Sequence, residues 1–179
     1  MKRILAIISL TAVFLGCGGG EIPESKLPQW SGHSTELFDD VIEPRAVGLE
    51  LNVTAVPRAD PVLRERTQTG DAVLRVRIET VTQSGYGKNV RHQLTMTTLE
   101  KLAGEHPPAN GSFVVTMDES NPSIGIVRSL EARLGGKTFI AFVKAFGQEG
   151  ERQYHFHLSP DAKDVRDAVQ DAVALGDFK

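Results

Sequence analysis

The run AVLRVRIETVT at residues 72–82 constrains the fold of this chain more than any other feature. Leu74, Val76 and Ile78 alternate with charged residues, so an extended backbone places apolar side chains on one face only. A period of two predicts a β-strand with one buried face. A lone strand or hairpin is unstable in water, so the chain needs partner strands and a layer that covers this face.

Further segments of strand-forming residues are separated by clusters of Gly, Pro, Asn and Asp. The later predicted strands are residues 90–99, 113–117, 137–146 and 153–158. Alternating Val and Leu at residues 47–53 favour one more strand before them. Loops rich in turn residues are predicted at residues 84–89, 105–111 and 118–123. Residues 124–134 are predicted to be a helical or irregular connection.

Two segments carry the pattern that opens a helix, which is a capping residue followed by proline. Asp60-Pro61 predicts a short helix that ends near Thr69, before Gly70. Ser159-Pro160 predicts a final helix over residues 160–174 with one apolar stripe. The predicted fold class is mainly β: a small antiparallel barrel of five to six strands, with a short helix before it and a C-terminal helix.

The same segments resemble a known type of barrel. Over residues 70–158, GDAVLRVRIETVT, HQLTMTTLEKLAGE, GSFVVTM, GGKTFIAFVKAF and QYHFHL resemble the rhythm of netrin-like and tissue-inhibitor-like domains. In those families a strand ends in a Leu-Lys-Gly turn, and a later Gly-Lys/Glu-x-Phe/Tyr segment opens a buried strand. The resemblance implies an OB-like barrel. It carries no functional residue onto this chain, which also lacks the disulfides usual in those families because it has one cysteine.

The N-terminus has the pattern of a segment that is removed from the mature protein. Lys2 and Arg3 are followed by an apolar run at residues 4–16. This run has 13 residues, whereas a helix that spans a bilayer needs about 20. A short apolar run behind a basic start predicts a signal peptide, and a buried N-terminal helix is the alternative.

The single cysteine follows this run directly. Phe14-Leu15-Gly16-Cys17 resembles the lipobox of bacterial lipoproteins, whose cysteine receives a diacylglyceryl group before a signal peptidase cuts in front of it. The resemblance implies that residues 1–16 are a signal peptide and that Cys17 is the lipidated first residue of the mature protein. Gly18 replaces the Asp that commonly retains such proteins at the inner membrane, which implies the outer membrane. An intermolecular disulfide through Cys17 is the alternative.

The composition changes again after the cysteine. Residues 17–36 are rich in Gly, Pro and polar residues, which predicts a flexible tether between the lipid bilayer and a single domain at residues 37–179. Trp30 is the exception in this segment, because it could either pack back on the domain or contact a partner.

His155 and His157 are the sharpest candidate site. Two residues apart on a strand, both imidazoles point to the same side, as many zinc and copper sites require. A third ligand could be His92, His106 or Asp161. The alternative is a polar strand face, turned to solvent or to the outer surface of the barrel, because the residues that alternate with the two histidines are apolar or aromatic and supply the inward face.

Other catalytic patterns are incomplete. The chain has no G-x-S-x-G sequence, and the stretch from Gly135 to Thr138 lacks the first glycine of a phosphate-binding loop. The paired carboxylates Asp39-Asp40 and Asp118-Glu119 fall in predicted loops and are expected to be solvated. Without residues 1–16 the chain has 18 basic and 23 acidic residues, a balance that argues against nucleic acid as the partner.

These observations predict a lipid-anchored envelope protein that is not an enzyme and has no cofactor. Its domain is expected to be a binding or scaffold module for another envelope protein, with contacts through the loops at 84–89, 105–111 and 118–123. A periplasmic metal-binding protein that uses His155 and His157 is one alternative. An inhibitor of an envelope hydrolase, by analogy of fold alone, is another.

Overall fold

The computed structural model describes residues 23–49, 56–85, 90–108, 111–148 and 150–176. Its core element is one mainly antiparallel sheet that is curled into a half-barrel. The strands are β1 (Val41–Ile42), β2 (Ala72–Ser84), β3 (Arg91–Ala103), β4 (Ser112–Asp118), β5 (Thr138–Gln148) and β6 (Glu151–Pro160). Their order in the sheet is β1-β6-β5-β2-β3-β4, and only β1 runs parallel to its neighbour. The helices are α1 (Ser34–Leu37), α2 (Pro61–Thr69), α3 (Ile124–Leu134) and α4 (Lys163–Gly176).

The curl of the sheet originates in β2. Its pairing with β3 shifts register at three places, between Val73 and Leu74, between Arg75 and Val76, and again after Ile78. Each such bulge bends the strand and increases its twist. Apolar side chains from all six strands consequently meet in one cluster on the inner face, where Val127 and Leu134 of α3 also pack.

The outer face of the central strands is covered as well. Ile140, Phe142 and Phe146 of β5 pack with the apolar stripe of α4, and α1 and α2 complete this second cluster. The middle of β5 is therefore buried on both faces, which explains why residues 139–143 are apolar without alternation. This two-sided burial distinguishes β5 from the alternating pattern of β2.

Side chains close the edge of the sheet at β1. Ser123 Oγ accepts a hydrogen bond from Ile42 N at 2.8 Å, and Asn121 Nδ2 donates to Asp40 O at 3.1 Å. Both side chains come from the connection between β4 and α3. Side chains thus take the place of a neighbouring strand for Ile42 N and Asp40 O at this edge.

The predicted start and end of α2 are confirmed, whereas α4 starts later in the chain than predicted. Asp60 Oδ1 accepts from Val62 N at 2.9 Å, and α2 ends at Thr69 as predicted. The predicted helix start at Ser159-Pro160 is wrong, because both residues still belong to β6 and α4 begins at Lys163. Ser159 Oγ donates to Glu43 instead of capping a helix. The predicted strand at 47–53 begins in a 3₁₀ turn, Pro44–Val47, and its residues 50–53 lie outside the described ranges.

Packing begins earlier than the predicted domain boundary at residue 37. Leu27 is buried, and Pro28 O accepts a hydrogen bond from Gly147 N at 2.9 Å. Trp30 also packs back on the domain, with its Nε1 donating to Phe38 O at 3.0 Å. The signal peptide and lipobox assigned from the sequence, with Cys17, lie outside the described residues. None of the helices in the described ranges is long and apolar enough to cross a bilayer.

Candidate functional site

His155 and His157 lie on the same face of β6, as their spacing predicts, but that face is not exposed to solvent. Each histidine is only 6% exposed. The expectation of a solvated strand face is therefore wrong. The reason is the second apolar layer: Phe146 lies 5.6 Å from the ring of His155, and Phe142 lies 6.4 Å from the ring of His157.

His157 is held between two carboxylates. Its Nδ1 lies 2.8 Å from Asp39 Oδ1, and its Nε2 lies 3.2 Å from Glu43 Oε1. Burial lowers the pKa of His157, but the hydrogen bonds to Asp39 and Glu43 outweigh burial and raise the pKa above its ordinary value. With a carboxylate at each ring nitrogen, the imidazolium form fits this position best, because it donates from both nitrogens.

Glu43 is a strongly stabilised anion in this cluster. Besides His157, it accepts hydrogen bonds from Ser159 Oγ and, at 3.2 Å, from Arg45 Nη2. Burial raises the pKa of Glu43, but the hydrogen bonds from His157 and Ser159 outweigh burial and bring the pKa down to about 2. Glu43 is therefore ionised over the whole pH range in which most proteins are folded.

Arg66 joins α2 to the same cluster. Its Nε donates to Leu37 O at 2.5 Å, and its Nη2 lies 3.3 Å from both Glu36 O and Asp39 Oδ2. Arg66 is only 8% exposed, and this burial lowers its pKa. The guanidinium satisfies backbone carbonyls at the end of α1 and neutralises Asp39 at the same time.

His155 has a different environment. Its Nδ1 lies 2.7 Å from Asp40 Oδ2, and Asp40 Oδ1 accepts from Phe156 N at 3.0 Å. The indole of Trp30 is stacked on the imidazole, and His155 Nε2 has no hydrogen-bond partner among the described residues. Burial raises the pKa of Asp40, although the hydrogen bond from His155 opposes this shift. Asp40 is thus not the solvated loop residue that the sequence predicts.

The remaining candidate ligands lie away from His155 and His157. Asp161 forms ion pairs with Arg75 and Arg166, each at 2.7 Å. His92 Nε2 is buried 3.8 Å from Glu119 Oε1, and His106 follows the end of β3. In the described ranges, no group of three or more His, Cys, Asp or Glu side chains is arranged to hold a metal ion. The cluster around His155 and His157 instead ties residues 36–43 and α2 to β6.

The three predicted contact loops do not form one surface. Ser84 pairs with Arg91, which pairs with Asp118, so the loops at 84–89 and 118–123 lie at one end of the sheet. We call this the far end. Residues 104–106 follow Ala103, which pairs with Val73 near the opposite end. Residues 86–89 and 109–110 of these loops lie outside the described ranges.

A cleft of about 460 Å³ lies beside the loop that follows β3. Its walls are the end of α2, the end of α4 and the loop after β3. The lining residues are Thr67, Gln68, Gly70, Asp71, Ala103, Gly104, Glu105, His106, Ala172, Val173 and Gly176. The cleft has no local signal in the sequence, because three separated segments build it; one of them belongs to the predicted contact loop at 105–111.

Comparison with known proteins adds no further assignment. The chain matches no family model, and no curated protein or solved structure is significantly similar to it.

Proposed function

We propose that this chain is a lipid-anchored protein of the bacterial cell envelope, attached to the outer membrane through Cys17, whose domain is a non-enzymatic binding or scaffold module for another envelope protein. The observation that carries the anchor is Phe14-Leu15-Gly16-Cys17, in which the cysteine directly follows the 13-residue apolar run at residues 4–16. Within this proposal the half-barrel is an OB-like domain, a type that binds partners across one face and its loops.

The burial and hydrogen bonding of His155 and His157 support a binding module rather than an enzyme. Three of the four ring nitrogens of His155 and His157 are hydrogen-bonded to carboxylates, and both rings are covered. A general base must reach the proton that it abstracts. In this arrangement the imidazoles hold the fold together, and partner recognition is left to the exposed loops.

The early start of packing shortens the tether. The ten residues from Cys17 to Leu27 span at most about 35 Å, about half the reach of the twenty residues assigned from sequence. Leu27 and Pro28 lie against Gly147, close to the hairpin between β5 and β6. The anchored domain therefore stays near the membrane with this hairpin towards the lipid, and the far end is presented to a partner.

The anchor is tested by Cys17→Ser expressed in a bacterial host with radiolabelled or alkyne-labelled fatty acid. We expect loss of acyl label, an uncut N-terminus and release of the domain from its lipid anchor. Gly18→Ala is the matched control, because it leaves the cysteine in place and should keep the label. Acyl label that persists in Cys17→Ser would refute the anchor.

The binding role is tested separately by photocrosslinking in the cell from single positions. Gln83 and Ser120 at the far end are expected to give one crosslinked protein in common, whereas Gln170 on the exposed side of α4 is the control. Crosslinking with equal yield from Gln170, or none from the far end, would refute this role. A hydrolase as the crosslinked protein would favour the inhibitor alternative.

The metal-binding alternative rests on His155 Nε2, the one ring nitrogen of the pair without a partner in the described part of the chain. Zinc or copper titration of the intact protein tests it. Binding tighter than about millimolar that disappears in His155→Gln, but persists in His33→Gln, would favour this alternative over the scaffold module.

A further inference from the structure

The cleft between α2, α4 and the loop after β3 has the size of a ligand site. Its volume of about 460 Å³ falls within the roughly 300–1,000 Å³ typical of pockets for small molecules. The walls come from elements that are fixed independently, since α2 and α4 pack on the outer face of the sheet and Gln68 Nε2 donates to Ala172 O at 3.1 Å. The cleft therefore exists before a ligand arrives.

The charged side chains that line the cleft have one sign; Lys144, whose Nζ donates to Thr69 O between the lining residues Gln68 and Gly70, is not among them. Asp71 and Glu105 are the ionisable carboxyl groups in its lining, and no Lys or Arg is among the lining residues that the structure describes. The C-terminal end of α4 adds to this field, because Gly176 is its last residue and the final carbonyls of a helix carry partial negative charge. The cleft therefore favours a cation and disfavours an anion.

Asp71 is held rigidly in this position. Its Oδ2 accepts a hydrogen bond from Ala145 N at 2.8 Å, and its carbonyl oxygen accepts from His106 N at 3.1 Å. Since one carboxylate oxygen is fixed by the backbone, the group needs no reorganisation when a donor approaches the other. His106 also lines the cleft, and its Nδ1 has no hydrogen-bond partner in the described ranges.

Two glycines let the backbone form the floor. Gly104 has a φ of +87°, and a Cβ there would lie 2.3 Å from Asp71 O. A Cβ on Gly70 would lie 2.8 Å from Arg66 O. Larger residues at either position would force the loop away from α2 and change the cleft.

We propose that this cleft binds a cationic nitrogen group, an alkylammonium or a guanidinium, with Glu105 and Asp71 as the recognising carboxylates. Three observations combine here: a preformed volume, a lining with acids and no Lys or Arg, and a helix C-terminus at its rim. The same chemistry occurs in a free polyamine and in a Lys or Arg side chain of a protein. The site does not depend on the lipid anchor or on the far end of the sheet.

Backbone amide NMR of the full Cys17→Ser chain in detergent tests this site. The probes are agmatine, which carries both cationic groups, and butane-1,4-diol as a neutral molecule of similar length. We expect agmatine to shift the amide signals of Ala103, Gly104 and Val173, and the diol to leave them unchanged. Equal shifts with the diol would overturn a cation site.

Variants then separate charge from shape. Glu105→Gln is expected to weaken agmatine binding about two- to fivefold, as for a partly exposed ion pair, and Glu131→Gln on α3 is the matched control. Val173→Phe fills the cleft without a change of charge and should abolish the shifts while thermal unfolding stays cooperative. Unchanged affinity in both Glu105→Gln and Val173→Phe would overturn the proposal.

The source of the cation is resolved by a pair of peptides. Acetyl-Gly-Arg-Gly-amide and the same peptide with citrulline differ only in the charge of one side chain. Preferential binding of the arginine peptide over the citrulline peptide assigns the cleft to a partner protein, whereas binding of agmatine alone assigns it to a free polyamine. If neither agmatine nor the arginine peptide binds, the proposal is wrong.

Discussion

The indole of Trp30 lies flat on the imidazole of His155, with ring centroids 3.7 Å apart and ring planes 13° apart. The two residues are 125 positions apart in the chain. Trp30 thereby connects the N-terminal segment to β6, and its Nε1 is hydrogen-bonded to Phe38 O. The part of the predicted tether from Leu27 onwards consequently packs on the folded domain.

Trp30→Ala should lower the free energy of unfolding by about 2–3 kcal/mol. This is less than the about 3–5 kcal/mol typical of a fully buried aromatic residue, because Trp30 is only half-buried. Denaturant unfolding followed by circular dichroism measures the change. Trp30→Phe keeps a ring over His155 and loses only the Nε1 hydrogen bond, so about 1 kcal/mol is expected. A loss below about 0.5 kcal/mol in Trp30→Ala would mean that the stack does not stabilise the fold.

Arg66→Met should destabilise the domain by about 3 kcal/mol. The substitution keeps the apolar stem but leaves Leu37 O without its donor and removes the guanidinium beside Asp39. Arg64→Met is the matched control, because Arg64 is exposed on the same helix and its loss should stay within about 0.5 kcal/mol. Similar losses for both variants in chemical denaturation would contradict the role assigned to Arg66.

The low pKa of Glu43 predicts a loss of stability in acid. Its pKa is about 2 in the folded chain against 4.5 ordinarily, so the folded state binds fewer protons between these values. The contribution, on the order of 3 kcal/mol, is present above pH 4.5 and is lost as the pH falls towards 2. Urea unfolding at a series of pH values should show a flatter acid profile for Glu43→Gln than for the natural chain. Parallel profiles would exclude Glu43 as the source.

The raised pKa of His157 predicts a loss of stability at higher pH, above the ordinary value of 6.5. Its contribution to stability is complete below the ordinary value of 6.5 and is lost as the pH rises through the raised folded value. Asp39, Glu43 and Arg66 are the charged groups that face it, and the two carboxylates dominate. His157→Gln should therefore remove the decline of stability on the alkaline side. If that decline survives the substitution, another group causes it.

Energy transfer to a headgroup dye in vesicles tests how the anchored domain is oriented. We expect a label on Glu151, in the hairpin between β5 and β6, to transfer more strongly than a label on Gln83 at the far end. The reason is the short chain between Cys17 and Leu27, which enters the domain beside Gly147. The unlipidated Cys17→Ser chain that begins at residue 17 is the control and should give little transfer from either label. Equal transfer from both labels in the lipidated protein would refute this orientation.

Local signals in the sequence account for much of the sheet and little of the cluster. The spacing of His155 and His157 correctly puts both imidazoles on one face of β6. Periodicity cannot tell whether a polar face is covered, because the cover comes from residues that are distant in the chain. The carboxylate that meets His155 belongs to Asp40, 115 positions earlier. A pair of adjacent aspartates in a predicted loop gave no indication of that contact.

The sequence alone determined β2 through its alternation and α2 through Asp60 and Pro61, because a strand face and a helix cap depend on neighbouring residues. Only the tertiary structure decided where the N-terminal segment packs and that Ser159-Pro160 extends β6. Ser159 could have capped a helix, but its hydroxyl donates to Glu43 from another element. A polar side chain bonds to the partner that the tertiary structure brings near it, and the neighbouring residues in the sequence do not predict that partner.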